Sequence, residues 1–366
     1  MQPIWEVADV LRQVPLDELQ LNSHQQKTFR AIKSCRTAAL GGHIDACNDC
    51  GAVHISYNSC RNRHCPKCQG HKRVEWIQKR EQDLLPCTYY HVVFTLPQEL
   101  NTLVMRRPDQ VYNALFDATW ATLAQFGKHA GVRLGMIAIL HTWGQNLSLH
   151  PHVHCIVPGG GVDGNGHWKK QLRTDKYLLP VKALSKVFRA KYVHCLRQYG
   201  ITDARLIQSL FQRDWVVYAK RPFGGPKHVI EYLGRYTHKV AISNHRIVEV
   251  SDQQVHFRYK DYRNGGQVRT MQLINREFVR RFAQHILPRR FVRIRHYGIL
   301  SSTWKRGRLQ TLQHSLHIKP ARQPVHIMLR KCPCCKTGTL ITIEIFGKRG
   351  PPPRYLRQDQ IVPVAT

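Results

Sequence analysis

Six of the twelve cysteines crowd between Cys35 and Cys68: Cys35, Cys47, Cys50, Cys60, Cys65 and Cys68. A stretch so rich in thiols folds around sulphur, as disulfides or as metal thiolates. The start Met1-Gln-Pro-Ile-Trp-Glu has no basic run followed by an apolar one, so reduced thiols and metal are expected rather than a secreted disulfide framework. Cys47-Asn-Asp-Cys50 and Cys65-Pro-Lys-Cys68 are two C-x-x-C knuckles. Tetrahedral Zn²⁺ takes four soft ligands from two such turns, and Gly51 and Pro66 suit them. The expectation is a structural zinc on Cys47, Cys50, Cys65 and Cys68. Cys35, His43, Cys60 and His64 interleave with these and offer a second zinc set; the other reading is unligated thiols and surface imidazoles. Far downstream, Cys332-Pro-Cys334-Cys335 with Lys336-Thr-Gly338 resembles half of a zinc ribbon lacking an evident second half. Cys87, Cys155 and Cys195 stand in apolar surroundings and read as core.

Charge narrows the partner. The chain carries 56 Lys+Arg against 23 Asp+Glu, a net charge of +33. Such an excess fits a polyphosphate partner better than a merely solvated surface. No run of about 18 apolar residues is present, so no membrane span is expected.

Periodicity and breakers divide the chain into 1–34, a helical segment; 35–85, the cysteine-rich domain with a basic helix from about His71 to Leu85; 86–275, a mixed domain; and 276–366, a basic C-terminal region. Within the third segment, Tyr89–Leu96, Met136–Trp143, His152–Val157, Trp215–Tyr218 and Val240–Ser243 read as strands. Gly159–Gly161 and Asp163–Gly166 read as a turn, and Val255–Leu273 as a hairpin about Asn264-Gly265. Helices are expected after Pro108 and over Lys182–Tyr199. Strands interrupted by long helices favour an α+β antiparallel sheet over a doubly wound one.

Two constellations carry chemistry. In His150-Pro-His152-Val153-His154, alternate residues share one strand face, so His152 and His154 form a clamp for a divalent cation. A third ligand should come from the adjacent strand or turn, and Gln145 is the expected one. Downstream, Tyr232-Leu-Gly-Arg235-Tyr236-Thr-His-Lys239 puts two phenols on one helix face, roughly 5–6 Å apart at Cβ. Each is followed three residues on by a cation, which favours the phenolate needed for attack.

A His-hydrophobic-His strand followed by Tyr-x-x-x-Tyr-x-x-Lys resembles the HUH endonucleases, and Phe94-Thr95-Leu96 looks like their first strand motif. The fuller pattern runs from Leu40-Gly-Gly-His43 through Ser59-Cys-Arg-Asn-Arg-His-Cys-Pro-Lys-Cys-Gln69 to His150–His154, Tyr232–Asn244 and Phe291–Gly298. It resembles the IS-ninety-one type of insertion-sequence transposase over about Cys35–Tyr297. That resemblance implies an HUH-like antiparallel sheet with flanking helices behind a small zinc-binding domain. It also implies an enzyme of the bacterial cytoplasm, used on the nucleoid, that cuts and rejoins single-stranded DNA at the ends of a mobile element. Mg²⁺ or Mn²⁺ on His152, His154 and Gln145 would assist attack by Tyr236, with Lys239 beside it, leaving a 5′-phosphotyrosyl link. Tyr232 with Arg235 would serve a second strand transfer, or else pack.

DNA contacts are expected from Arg61 and Arg63 in the cysteine loop, Lys260 and Arg263 on the hairpin, and the run Arg289, Arg290, Arg293 and Arg295. Two other functions fit the residues: a rolling-circle plasmid or phage replication initiator, and a non-catalytic zinc protein that binds nucleic acid.

Overall fold

The computed structural model describes residues 3–170, 179–220, 228, 234, 241–316 and 330–356. The described elements run α1 (Val7–Arg12), α2 (Ser23–Lys33), β1 (Gly42–Cys47), β2 (Val53–Tyr57), α3 (Gln69–Glu81), β3 (Tyr89–Thr95), α4 (Asn101–Arg106) and α5 (Pro108–His129). Then come β4 (Gly135–Trp143), β5 (Leu149–Pro158), β6 (Gly160–Val162), β7 (Trp168–Lys170), α6 (Val181–Gln198), α7 (Ala204–Phe211) and β8 (Val217–Lys220). The last are β9 (Ile247–Val250), β10 (Gln254–Asp261), β11 (Gln267–Ile274), α8 (Asn275–Ala283), β12 (Ile294–Gly298), α9 (Ser302–Lys305), α10 (Arg308–Ser315) and β13 (Leu340–Phe346). Among the described residues no helix is long and apolar enough to cross a membrane.

These elements form two units. The first gathers residues 1–72, 238–286 and 323–366; the second holds 73–237 and 287–322. The four consecutive segments expected from the sequence therefore do not coincide with the packing. The chain returns to the first unit twice, because that unit's sheet and its apolar core each need a distant partner.

In the first unit, β1 lies between β2 and β13, both antiparallel to it, so the strand near the C-terminus completes the cysteine-rich sheet. A second sheet, β11-β10-β9, backs onto α8. Apolar side chains at helical spacing on α8 make the joint: Phe278 meets Phe257 of β10 at 5.9 Å and Phe282 meets Phe29 of α2 at 5.8 Å between ring centroids. All four rings are buried, which ties the N-terminal helices to the hairpin region. Helix α2 starts at a capping box in which Asn22 accepts from the Gln25 amide and Gln25 accepts from the Asn22 amide.

The second unit is built on a five-stranded antiparallel sheet in the order β12-β4-β5-β3-β8. Its strands are apolar on both faces, as a sheet covered on both sides requires. Val92, Phe94, Leu140, Val153 and Cys155 face α5 and α6, where Leu115, Phe188 and Tyr192 complete the larger core. Tyr89, Ile137, Ile139 and Ile156 face the other way, with Leu309 and Leu312 of α10 and Trp76 and Ile77 of α3 against them.

Most expected elements are present, and the differences have local causes. The glycines expected as a turn enter strand β6, which pairs with β7; a Cβ on Gly160 would meet the Lys169 carbonyl at 2.4 Å. Residues 241–243, expected as strand, are not strand, and Val240 lies outside the described residues. Strand β5 starts at Leu149, ahead of Pro151, whose carbonyl accepts from the Leu96 amide at 3.0 Å.

Candidate functional site

The histidine cluster follows from strand register. On central strand β5, His152 and His154 project to one face, and the β4–β5 pairing sets His141 opposite His152. One ligand atom from each of His141, His152 and His154 lies within 4.8 Å of the others. His141 on the neighbouring strand therefore joins them as a further donor, while Gln145, the expected third ligand, stands in the turn after β4. A turn residue gains its direction from the turn, whereas an opposed strand residue shares the face of its partner.

Their orientation is held locally. His152 Nδ1–H donates to the His150 carbonyl at 2.6 Å, leaving Nε2 as a lone-pair donor. Buried His91 on β3 places Nε2 2.8 Å from His154 Nδ1, and the two rings are parallel at 5.0 Å between centroids. His141 stacks on Trp143 at 4.7 Å, and the Arg293 guanidinium lies 5.8 Å from the Trp143 ring centre. Burial pushes His152 down to about 4 and His154 well below the ordinary imidazole range, with neighbouring imidazoles adding to both shifts. Both therefore keep a lone pair near neutral pH. Three imidazoles on one sheet face fit a divalent transition ion and suit oxygen-loving Mg²⁺ poorly. His154 and His141 are buried while His152 is half-buried and His150 exposed, so the cluster opens at the start of β5.

Tyr232, Arg235, Tyr236 and Lys239 lie outside the described residues. Gly234, between the two tyrosines, is described and helical; a Cβ there would come within 2.3 Å of Ile77 on α3. Helix α3 covers the sheet face that bears the histidines.

Sulphur ligands group differently from the expectation. Cys47 and Cys50 do not join Cys65 and Cys68; the sets are Cys35, Cys60, Cys65, Cys68 and Cys47, Cys50, Cys332, Cys335. The reason is the β1–β2 pair. Cys47 ends β1 and Cys50 lies in the turn before β2, whereas Cys35 leads into β1 and Cys60 follows β2. The two sets therefore occupy opposite ends of a strand about 20 Å long. In the first set Cys35 and Cys60 lie 3.4 and 3.6 Å from Cys68, sulphur to sulphur. A tetrahedron with Zn–S near 2.3 Å has sulphurs about 3.7 Å apart, so the donor set fits zinc. The Cys60 amide donates to Cys35 Sγ at 3.4 Å, and Cys35 is drawn down to about 7, chiefly by its contact with Cys60. His43 and His64 are not ligands: His43 Nε2 faces Asp45 at 3.2 Å, and buried His64 stands edge-on to His24.

The expected DNA contacts divide. Arg61 is exposed, holding the cysteine loop in a left-handed turn with φ 52°, while burial lowers the pKa of half-buried Arg63. Lys260, Arg289 and Arg290 are exposed, and Arg263 stands in the β10–β11 turn. Arg295 is half-buried, bonding Asn113 and lying 4.2 Å from the Phe116 ring centre. A cavity of about 1180 Å³ opens beside the start of β4, lined by Trp120, Trp168, Trp304, Lys128, Arg133 and Arg308 among others. Eight residues of extended chain separate Arg133 from His141, about 26 Å.

Sequence reasoning missed His141, His91 and the union of Cys47/Cys50 with Cys332/Cys335. A lone histidine in each of two apolar strands was the available signal for the first two; for the third it was an orphan half-ribbon.

Two family models match. "Putative transposase" (Y2_Tnp) covers residues 135–307, and "Transposase zinc-binding domain" (Zn_Tnp_IS91) covers 7–96. The chain is 41% identical over 387 residues to "Putative transposase y4qJ" of Sinorhizobium fredii (strain NBRC 101917 / NGR234), covering 95% of this chain and 97% of that protein. It is 30% identical over 305 residues to the "Transposase for insertion sequence element IS801" of Pseudomonas savastanoi pv. phaseolicola, covering 78% of this chain and 73% of the other. Among solved structures, the conjugative relaxase TrwC in complex with OriT DNA aligns at 13% identity over 63% of this chain and 73% of its own, with a TM-score of 0.24. A metal-bound form of that relaxase with DNA aligns at 11% identity over 82% and 98%, with a TM-score of 0.26. These correspondences are too loose to align residues.

Proposed function

Since the chain belongs to the IS91-type family of insertion-sequence transposases, we propose that it cuts and rejoins single-stranded DNA at its element's ends by tyrosine attack beside the His141–His152–His154 cluster. The observation that carries this reading is the cluster itself, three imidazoles converging from two paired strands. His141, His152 and His154 would hold a divalent ion, Mn²⁺ fitting the all-nitrogen set better than Mg²⁺. When bound, such an ion polarises the scissile phosphate and offsets its developing charge.

The chain's own groups do the rest. His91 accepts from His154 Nδ1–H and so turns the Nε2 lone pair toward the cluster. Tyr236 gives up its phenolic proton and attacks phosphorus; a Tyr Oη–P bond forms, the P–O3′ bond breaks, and the released 3′-oxygen takes a proton. Lys239, three residues further along the sequence, would favour the phenolate. The phosphotyrosyl bond retains the energy of the phosphodiester, so a later attack by a 3′-hydroxyl reseals DNA without ATP. Tyr232 with Arg235 is the candidate for that second transfer. Gly234, between the two tyrosines in sequence, lies against Ile77 of α3 on the side of the sheet that bears the histidines, which supports this reading. Unpaired bases have stacking partners in Trp120, Trp168 and Trp304, with Lys128, Arg133 and Arg308 for phosphates.

The test uses single strands that carry the element's end, labelled at either terminus, with Mn²⁺. The 3′-labelled strand should become a denaturant-resistant protein adduct while the 5′-labelled strand is released as free fragment. Tyr236→Phe should abolish the adduct and Tyr232→Phe should leave it. Full adduct yield from Tyr236→Phe, or in the presence of EDTA, would overturn the reading.

A further inference from the structure

We infer that Cys47, Cys50, Cys332 and Cys335 take a second zinc, a clasp that joins the C-terminal segment to the N-terminal sheet. It lies partly outside the matched zinc-binding domain, which ends at residue 96, and it does not depend on the histidine site.

Four observations carry it. The sulphurs pair across the chain at the spacing of a ZnS₄ tetrahedron: Cys47 to Cys335 and Cys50 to Cys332 are each 3.7 Å. Both halves are C-x-x-C knuckles with amides aimed at sulphur, Asp49 N–H to Cys47 at 3.4 Å and Gly338 N–H to Cys335 at 3.3 Å. The backbone holds the knuckles together: the Asn48 amide donates to the Thr339 carbonyl at 3.1 Å, the Thr339 amide to Asn48 Oδ1 at 2.7 Å, and β13 then pairs with β1 in antiparallel register. Last, Gly338 passes so close to Cys47 that a Cβ would stand 2.3 Å from its sulphur. The half-ribbon at Cys332 thus has its second half in the first knuckle of the N-terminal domain.

The arrangement is one that burial alone does not explain. Cys50 is exposed and Cys335 half-buried, and only a small apolar cluster of Cys332, Cys47 and Leu340 lies beneath. Cys50 and Cys332 stand 282 residues apart in the chain, and closing so long a loop costs several kcal/mol of chain entropy. A ZnS₄ site supplies more than that. The sheet β13-β1-β2 is then a metal-dependent structure, assembled only once both ends of the chain have been made.

The test contrasts two exposed thiols of the full-length protein. Cys50 and Cys334 are both exposed, but only Cys50 belongs to the set. Brief alkylation followed by peptide mapping should modify Cys334 and spare Cys50, Cys332 and Cys335. A zinc chelator should then open all three. Metal analysis should find two zinc ions per chain, falling to one in the Cys332→Ser/Cys335→Ser double variant. Equal labelling of Cys50 and Cys334, or a single zinc in the wild type, overturns the clasp. Both of those readouts use wild-type protein, so the outcome does not depend on how the double variant folds.

Discussion

The histidine cluster and the sulphur clasp are both sets of side chains whose ligand atoms converge, yet they are built in opposite ways. His141, His152 and His154 come from one β-hairpin, where a register of facing residues is enough to bring them together. Cys47 and Cys50 meet Cys332 and Cys335 across almost the whole chain, joined by the β1–β13 pairing and the hydrogen bonds between Asn48 and Thr339. The first set offers three nitrogens, which leaves a coordination position open; the second offers four sulphurs, which complete a tetrahedron. An open position is what the proposed cutting reaction would use, and a complete tetrahedron is what an ion that holds a fold takes.

The sharpest way to break that contrast is to remove one ligand from the open site. His154→Ala should lower the rate of adduct formation about a thousandfold, as loss of several kcal/mol of transition-state charge stabilisation requires, while zinc content stays at the wild-type level. Adduct yield timed on denaturing gels, beside metal analysis, checks both halves. An unchanged rate would reduce the cluster to a packing feature.

His91→Phe tests how the open site is held. Loss of its contact with His154 should weaken Mn²⁺ binding or activity about 10–100-fold, read by titrating the rate against Mn²⁺. A change in thermal stability with no shift in that titration would make His91 merely structural.

Gly338→Ala sharpens the closed site. The added methyl must displace the Cys47 sulphur or the knuckle backbone, costing about 1–3 kcal/mol as overpacking does. Denaturant unfolding should detect this loss in the first unit, with strand cleavage retained.

The smallest effect is one of pH. Burial, then Lys305 and Arg80, hold His296 down to about 3. The unfolded chain titrates it near 6.5, so between those values the unfolded state binds the extra proton. Stability of the second unit should therefore fall as pH drops from about 6.5 toward 3, and His296→Gln should flatten that slope in denaturant titrations.

Much of this was legible in local pattern. Apolar runs at strand and helix period announced β3, β4, β5, α5 and α6, and Asn264-Gly265 announced the β10–β11 hairpin. His152-Val-His154 identified the clamp because period two is intrinsic to a strand. His141 was missed as a partner because spacing along the chain does not disclose which residue lies across the ladder. The zinc pairing failed for a similar reason: two knuckles close in sequence suggest one shared ion, but strand β1 keeps them apart. Arg295 stood in the sequence as one of a basic run, and only the tertiary structure showed its contacts with Phe116 and Asn113.

By itself, the sequence determined the chemistry available: soft thiols in knuckles, paired imidazoles, two phenols one turn apart and a large positive charge. It could do so because side-chain type and short-range period are local properties. Tertiary structure alone decided which ligands meet, setting His141 across from His152 and returning Cys332 and Cys335 to Cys47 and Cys50. Those choices depend on strand register and on contacts between distant segments, and neither is written in the spacing of residues along a chain.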